Sequence, residues 1–384
     1  MMPLYLSENC SLKWLETPSV YNSKTDELYE LDEKGFEFLR SCAHQSGCKS
    51  CNPDAQFVDY CVSEGILQTE HVSIVRAPAI KAPVPSLRYL ELQITDKCNL
   101  RCRHCYLGEP QKNELSLEDI KLVLDEFEVM QGLRLLITGG EPLMHSRFSA
   151  INEMLAEYSF RKVLFTNGLM LDKGAIKGLN IDEVQFSIDG IEKGHDALRG
   201  KGTHKKTIAS LNEALKLGMQ TSVATMVHNK NLDEFEIMSQ VFADMGIRDW
   251  TVDVPCLSGN LMLNPEMHVP PEIAGRLMRY GFGGGLHGGG EGYGCGLHLA
   301  AVTPTGDICK CAFYADFSAG KIKDGLRKAW ASIKPININD MECAKPVCAY
   351  IDACRGGCRF RAEAAGGAGR RDLYKCHEFG IINT

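Results

Sequence analysis

From residue 88 onwards, short runs of apolar and β-branched residues alternate with longer amphipathic stretches. The runs are YLELQIT, RLLITGG, KVLFTNG, EVQFSIDG, QTSVATMV and DWTVDVP. The intervening stretches have helical spacing, as in residues 116–130, where Leu117, Ile120 and Leu124 share one face. This alternation predicts βαβ units and a parallel sheet. Six units are two short of a closed barrel, so we expect an α/β fold, a partial (β/α)6 TIM-like barrel over residues 88–280.

The chain changes character on both sides of this barrel. Residues 1–77 mix strand-like pieces such as DELYEL with helix-like pieces such as EKGFEFLRSC, and predict a small α+β domain. Residues 78–87 are rich in proline and alanine and are expected to form a linker. Residues 281–384 begin with a glycine-rich run and continue as short elements that carry eight cysteines. We therefore expect three domains.

Composition narrows the class of protein. The 384 residues are 44% apolar and 24% charged, typical of a soluble globular chain. No apolar run is long enough to span a membrane, and the N-terminus lacks the basic and apolar regions of a signal peptide. We expect a cytoplasmic protein that binds no membrane. A net charge of -7 argues against nucleic acid as a partner.

Seventeen cysteines are too many for an ordinary chain of this size. In a reducing cytosol, cysteines at short fixed spacings indicate thiolate ligation of zinc or of iron–sulfur clusters. The clearest group is the loop CNLRCRHC, with Cys98, Cys102 and Cys105 at spacing C-x3-C-x2-C. Zinc would need a fourth ligand nearby. Three thiolates on a four-iron cluster leave one iron open for a small molecule, so we predict such a cluster here.

Further motifs follow the next predicted strands. GGEP ends the second strand, TNG the third and SIDG the fourth. Because catalytic groups of such barrels gather at the carboxyl ends of the strands, all of these motifs are expected on the rim that carries the cysteine loop.

These motifs together resemble those of the radical S-adenosylmethionine (SAM) superfamily over roughly residues 88–256. The resemblance implies that the open iron of the [4Fe-4S] cluster binds SAM, which is cleaved to methionine and a 5′-deoxyadenosyl radical that abstracts hydrogen from a substrate. It also implies a SAM site in which GGEP holds the amino group, SIDG the ribose hydroxyls and HDALRG the carboxylate, with TNG in the same pocket. The implied residues are Gly139, Gly140, Glu141, Pro142, Asn167, Ser187, Asp189 and Arg199.

The late cysteines resemble the SPASM extension of radical SAM enzymes, which carries two auxiliary [4Fe-4S] clusters. By that resemblance Cys343, Cys348, Cys354 and Cys376 hold the second cluster, and Cys295, Cys311 and Cys358 hold the first. Four residues separate Cys343 from Cys348, where the family usually has two. In the family a further upstream cysteine often completes the first cluster, and here that region is the glycine run. Either Cys309 or Cys256 therefore supplies the fourth ligand, or one iron of this cluster is open to a substrate thiolate. Zinc is the alternative occupant of these cysteines.

Residues 1–77 loosely resemble the winged-helix-like domains with which ribosomal-peptide (RiPP) maturases bind a precursor peptide as an added strand. Four cysteines lie within this domain, and they belong either to a zinc site or to free or buried thiols: Cys42, Cys48, Cys51 and Cys61.

The combined resemblance predicts a peptide maturase that installs a crosslink, such as a thioether, with the auxiliary clusters taking the electron. A low-potential donor of the flavodoxin or ferredoxin type is implied as an electron partner. The alternatives are a maturase of a folded protein, such as a sulfatase, an enzyme of tetrapyrrole or quinone synthesis, and a non-catalytic electron carrier. No proton acceptor is identified; Tyr106, Asp253 and His228 are candidates by position alone.

Overall fold

The computed structural model describes residues 3–48, 54–283, 285, 292–345 and 347–381. Cys51 and most of the glycine-rich run after residue 283 lie outside these residues. No helix in the described ranges combines the length and apolarity that crossing a membrane requires.

The N-terminal domain contains a three-stranded antiparallel sheet, a short two-stranded sheet and two helices. Its elements are β1 (Tyr5–Leu6), β2 (Cys10–Trp14), β3 (Pro18–Asn22), β4 (Glu27–Glu30), α1 (Glu33–Cys42), α2 (Ala55–Ser63) and β5 (Leu67–Gln68). The larger sheet has the order β2-β3-β4, and β1 pairs with β5. Helix α1 begins at Asp32, whose carboxylate accepts a hydrogen bond from Gly35 N over 2.7 Å. The strand-like piece DELYEL contains β4, and the helix-like piece EKGFEFLRSC is α1, as the sequence predicts.

The central domain has the six predicted parallel strands in sequential order. They are β6 (Tyr89–Thr95), β7 (Arg134–Gly139), β8 (Arg161–Thr166), β9 (Glu183–Ser187), β10 (Gln220–Met226) and β11 (Asp249–Asp253). Each pairs in parallel with the next along the chain. This is the partial, barrel-like sheet that the periodicity predicts.

Helices between the strands cover one face of this sheet. They are α3 (Leu117–Val129), α4 (Phe148–Leu155), α5 (Lys173–Lys177), α6 (Glu192–Arg199), α7 (Thr203–Lys216), α8 (Phe235–Asp244) and α9 (Pro271–Met278). Helix α3 begins after Ser116, whose hydroxyl accepts from Asp119 N over 3.0 Å. Its apolar face, including Ile120 and Phe127, is fully buried against the strands.

The C-terminal domain continues the same sheet. Strand β12 (Leu299–Val302) pairs in parallel with β6, and β13 (Asp307–Cys309) and β14 (Gly320–Lys321) add antiparallel strands, giving nine in all among the described residues. Four helices follow: α10 (Leu326–Ser332), α11 (Ile351–Cys354), α12 (Arg359–Ala364) and α13 (Leu373–Glu378). Because β12 lies beside β6, this domain reaches the strand that precedes the cysteine loop.

The N-terminal domain is fixed to the amino ends of the barrel strands. Arg161 at the start of β8 is almost fully buried and donates to Ser23 O over 2.7 Å and to Glu183 over 2.6 Å. Asp26, in the turn before β4, forms an ion pair with Arg134 at the start of β7. Charge pairs buried at a domain contact hold the two domains in one orientation.

Residues 78–87, expected to be a linker, are instead packed against both neighbouring domains. Lys81 forms a β-bridge with Trp14 in β2, and Pro85 O accepts from Trp330 Nε1 in α10 over 2.8 Å. Leu87 is fully buried. These contacts with distant parts of the chain, which local composition does not reveal, are the reason for the difference.

Candidate active site

The loop after β6 carries three cysteines that line one cavity of about 310 Å³. The loop folds back on itself, with Cys105 N donating to Cys102 O and Gly108 N to Cys105 O, each over 3.2 Å. Leu100 N donates to Cys98 Sγ over 3.4 Å. Burial raises the pKa of Cys102 to about 11. The loop therefore presents Cys98, Cys102 and Cys105 to a single volume, where binding of a metal would deprotonate them.

The GGEP loop after β7 lies directly against the cysteine loop. Gly140 N donates to Thr95 O and Glu141 N to Lys97 O, each over 2.8 Å. A side chain at Gly139, which has φ +135°, would collide with the Thr95 carbonyl, and one at Gly140 with the Lys97 carbonyl. Glycine at both positions lets the two loops touch and leaves their backbone on the cavity wall.

Glu141 does not have the position expected of a direct SAM contact. Its side chain is fully buried and lies outside the cavity lining. Oε1 accepts from Thr166 Oγ1 and Oε2 from Asn167 N, each over 2.8 Å. Both oxygens are thus engaged in holding the TNG loop in place. Pro142 starts a short 3-10 helix and is buried outside the lining as well.

Asn167 and Ser187 do line the cavity, at the ends of β8 and β9. The Asn167 side-chain amide donates to Asn99 Oδ1 over 2.7 Å, which links the TNG loop to the residue after Cys98. Amide and hydroxyl groups of this kind bind the hydroxyls of a small ligand.

Asp189 and Arg199 form a buried ion pair beside the thiols. Arg199 lines the cavity, and its Nη1 lies 4.0 Å from Cys102 Sγ. Asp189 is fully buried, and its other oxygen accepts from Met226 N over 2.7 Å. Although burial opposes ionisation, Arg199 holds the pKa of Asp189 well below its ordinary value. Asp189 therefore orients the guanidinium, and its engaged oxygens do not reach the cavity as the resemblance implies.

A carboxylic acid not singled out from the sequence also lines the cavity. Glu91 lies in the middle of β6 and accepts a hydrogen bond from Ala312 N over 3.3 Å. Burial raises its pKa to about 7. The signal available in the sequence was a lone charged residue in the apolar run YLELQIT. A carboxyl group that titrates near neutral pH in a cavity is suited to proton transfer.

The three candidates for proton transfer named by position have different surroundings. Tyr106 lines the cavity, where its hydroxyl accepts from Gln93 Nε2 over 2.8 Å. Asp253 pairs with Arg361 of α12 over 2.5 Å, and His228 is fully buried against Asp189 O, 3.0 Å away; neither lines the cavity. Of the three, Tyr106 alone faces the cavity.

The cavity fits a bound polar molecule beside a cluster. His104 lies in its lining, and its buried Nδ1 finds no hydrogen-bond partner among the described residues. Three thiols, a guanidinium, hydroxyl and amide groups and an exposed glycine backbone surround the same space. This donor set suits a cluster ligated by thiolates together with a ligand that carries a carboxylate and hydroxyl groups.

The C-terminal cysteines include two sets of neighbouring thiols; that these sets hold two clusters stays a prediction. Burial raises the pKa of Cys376 to about 11, with further contributions from the nearby thiols of Cys343 and Cys354. Backbone hydrogen bonding joins Cys348 N to Cys343 O over 2.9 Å. In the other group, burial and then Glu91 raise the pKa of Cys311 to about 12, and Cys295 and Cys358 add to this.

Within the described residues, no three His, Cys, Asp or Glu side chains are arranged to hold a single metal ion. A four-iron cluster places each thiolate on a separate iron, so its ligands do not converge on one point. In the N-terminal domain, Cys42 and Cys61 are buried thiols of the apolar core, whereas Cys48 is disulfide-bonded.

Comparison with known proteins decides the class. Residues 92–241 match the sequence model of the Radical SAM superfamily. This part of the chain is a radical SAM domain. This superfamily implies a four-iron cluster and SAM as the cofactors of the cavity.

The names of individual relatives indicate different activities. Mycofactocin maturase MftC of Mycolicibacterium smegmatis is 26% identical over 302 residues, which cover 70% of this chain and 77% of that protein. Fe-coproporphyrin III synthase of Methanosarcina barkeri is 22% identical over 340 residues, which cover 71% and 84%. Streptococcus suis SuiB, solved bound to precursor peptide SuiA, covers 97% of this chain and 100% of its own, with TM-score 0.70 and 14% identity. The last likeness extends the shared fold to nearly the whole chain.

Proposed function

We propose that this radical SAM enzyme matures a ribosomally made precursor peptide by installing a crosslink. The observation that carries the proposal is the N-terminal domain, which is fixed to the barrel and leaves one edge of β4 without a strand partner among the described residues. An extended peptide adds to such an edge through backbone hydrogen bonds. The fold shared with SuiB, solved with a precursor peptide, supports this assignment.

The edge of β4 favours a peptide segment that carries basic residues. Glu27 and Glu30 are exposed on β4. Tyr29 between them donates to Glu64 after α2 over 3.0 Å and contacts the Tyr60 ring at 6.2 Å. Residues 1–77 contain twelve acidic and six basic side chains. A lysine or arginine in the peptide would meet carboxylates on both sides of this edge.

The cavity supplies the SAM site of the proposal. Cys98, Cys102 and Cys105 hold the [4Fe-4S] cluster, and Arg199 binds the SAM carboxylate with its outer nitrogens while Asp189 orients it. When bound, the clusters and SAM supply a 5′-deoxyadenosyl radical that removes a hydrogen atom from the peptide, and a sink for one electron. Asn167, Ser187 and the glycine backbone orient the remaining groups of SAM.

Glu91 is the proton acceptor of the proposed reaction. Forming a thioether from a thiol and a C–H bond removes one hydrogen atom, one proton and one electron from the peptide. Glu91 lies in the cavity lining with Tyr106 and Phe313, whose rings are 5.0 Å apart. Because its pKa is about 7, Glu91 is partly ionised at neutral pH and can take the thiol proton.

A second candidate function is synthesis of a tetrapyrrole cofactor. It is favoured by the relative named Fe-coproporphyrin III synthase, which matches the chain about as fully as MftC. A tetrapyrrole would make no use of the open edge of β4.

One anaerobic assay separates the two functions. It contains SAM, a low-potential flavodoxin or dithionite, and any precursor-sized peptide whose open reading frame is found next to the gene. We expect a product lighter by two hydrogens, formed by the wild type and absent with the Cys98/Cys102/Cys105→Ala variant. Epimerised residues at unchanged mass would exclude the crosslink. No change in the peptide, combined with decarboxylation of an added porphyrin, would favour the second function.

A further inference from the structure

We propose that Cys256 is the fourth thiolate of the site formed by Cys295, Cys311 and Cys358, so that the barrel itself closes the first auxiliary cluster. This assignment rests on the auxiliary cluster of the proposed function. With four thiolates, no iron of that cluster is open to a substrate thiolate. An open iron is the alternative that the sequence alone does not exclude.

The first observation is direct contact between Cys256 and Cys358. Their thiols lie close enough to share a hydrogen bond. Cys256 follows β11 at the carboxyl end of the barrel, whereas Cys358 directly precedes α12. A buried thiol and a half-buried thiol from distant segments are thus brought within reach of one cluster.

An ion pair of the buried Arg361 holds together the two chain segments that carry these thiols. Arg361, three residues after Cys358, donates to Asp253, three residues before Cys256, over 2.5 Å. The same guanidinium donates to the fully buried Asp372 over 2.8 Å. Arg361 is buried and is bound by two carboxylates. If the end of β11 moved away from the start of α12, the buried guanidinium would lose one of them, which costs free energy.

The remaining candidate, Cys309, is directed elsewhere. Its thiol lies 3.6 Å from Ala301 O and 3.4 Å from Cys311 O, both carbonyl acceptors within the same sheet region. It is fully buried in an apolar cluster with Ala301 and Ala312. Cys309 therefore packs as a core residue.

Cys256 also lies in the lining of the cavity that holds Cys98, Cys102 and Cys105. Its thiolate would therefore make the auxiliary cluster part of the wall of the substrate cavity.

The test uses protein in which Cys98, Cys102 and Cys105 are replaced by alanine. This removes the SAM cluster, whose own open iron would also bind the cyanide used as a probe. After anaerobic reconstitution and removal of free thiols, we expect about eight irons per chain. The electron paramagnetic resonance spectrum of the reduced protein should not change when cyanide is added. Adding Cys256→Ala should either lose about four irons or produce a spectrum that cyanide shifts. Adding Cys309→Ala, the matched control, should do neither.

The assignment would be overturned if cyanide shifted the spectrum of the protein in which Cys256 is intact. It would also be overturned if the Cys256→Ala protein kept its irons and its spectrum did not change with cyanide. Should Cys256→Ala fail to fold, alkylation of the otherwise unmodified chain decides. Iodoacetamide should label Cys256 in the cluster-free protein and spare it after reconstitution, and labelling in both states would contradict the proposal. None of these measurements uses a peptide, so their outcome does not depend on the outcome of the maturase assay.

Discussion

Arg199 at the end of α6 pairs with Asp189 just after β9, and its outer nitrogen lies 4.0 Å from the thiol of Cys102. Only 11% of the arginine side chain and none of the aspartate side chain is exposed. Asp189 thus holds the guanidinium of Arg199 in a fixed position beside the cysteine loop.

Replacing Asp189 with asparagine should destabilise the protein by about 3 kcal/mol or more, because it leaves a buried guanidinium without its counter-ion. SAM binding should weaken as well, since Arg199 loses its orientation. Urea unfolding midpoints and SAM titration measure the two effects. Glu266→Gln, which breaks the exposed pair with Arg103, is the control and should change stability by less than about 1 kcal/mol. Equal effects of the two variants would refute a special role for the buried pair.

Glu91→Gln should separate the two halves of the proposed reaction. SAM cleavage to 5′-deoxyadenosine should continue, because the SAM-binding residues are unchanged, while crosslinked peptide should form about 100-fold more slowly for lack of a proton acceptor. Both products are quantified by mass spectrometry in one reaction. The exposed Glu118→Gln on α3 is the matched control and should match the wild type. Unimpaired crosslinking by Glu91→Gln would assign the proton to another group.

The same variant tests a dependence of stability on pH. Burial raises the pKa of Glu91 from 4.5 to about 7 in the folded protein, so between these values the folded state keeps a proton that the unfolded state releases. The contribution of Glu91 to stability therefore falls as pH rises through this window. Relative to wild type, Glu91→Gln should gain about 2 kcal/mol between about pH 5.5 and about pH 7.5. If the free energy of unfolding differs between variant and wild type by the same amount at both pH values, the pKa of Glu91 is not raised in the folded protein.

Charge reversal on β4 should weaken peptide binding. Glu27→Lys combined with Glu30→Lys removes the carboxylates that flank the open edge. We expect the Kd of a labelled precursor peptide to rise roughly five- to tenfold. Fluorescence anisotropy measures the binding, and the effect should shrink at high salt. Glu118→Lys combined with Glu157→Lys, both exposed on the barrel surface, changes the net charge by the same amount and is the control. If both variants bind the peptide equally, the docking site lies elsewhere.

Local pattern was sufficient for much of the fold. The six parallel strands follow from runs of β-branched residues, and the start of α3 follows from Ser116, because strand pairing and helix capping depend on residues close in sequence. The clustering of the cysteine loop with Gly139 and Gly140 was also foreseen, since successive strand ends share one rim.

Expectations about individual side chains were less secure. Glu141 and Asp189 stand in the motifs that the resemblance implies, yet their oxygens are occupied by Thr166, Asn167 and Arg199. A motif specifies which residue is present, and the hydrogen bonds available to it depend on neighbours supplied by other strands. Glu91 was missed because its position in an apolar strand gives no sign of the face on which the cavity opens.

By itself, the sequence determined the order of the elements, the spacing of the thiols and the resemblance that implied SAM chemistry, all of which depend on neighbouring residues. Only the tertiary structure decided which thiol accompanies Cys358, because Cys256 lies about a hundred residues earlier and meets it through the packing of α12 on the end of β11. It likewise decided that the N-terminal domain is docked through Arg161 and Asp26. Contacts between distant segments form only when the burial of whole domains brings them together, and no local pattern records them.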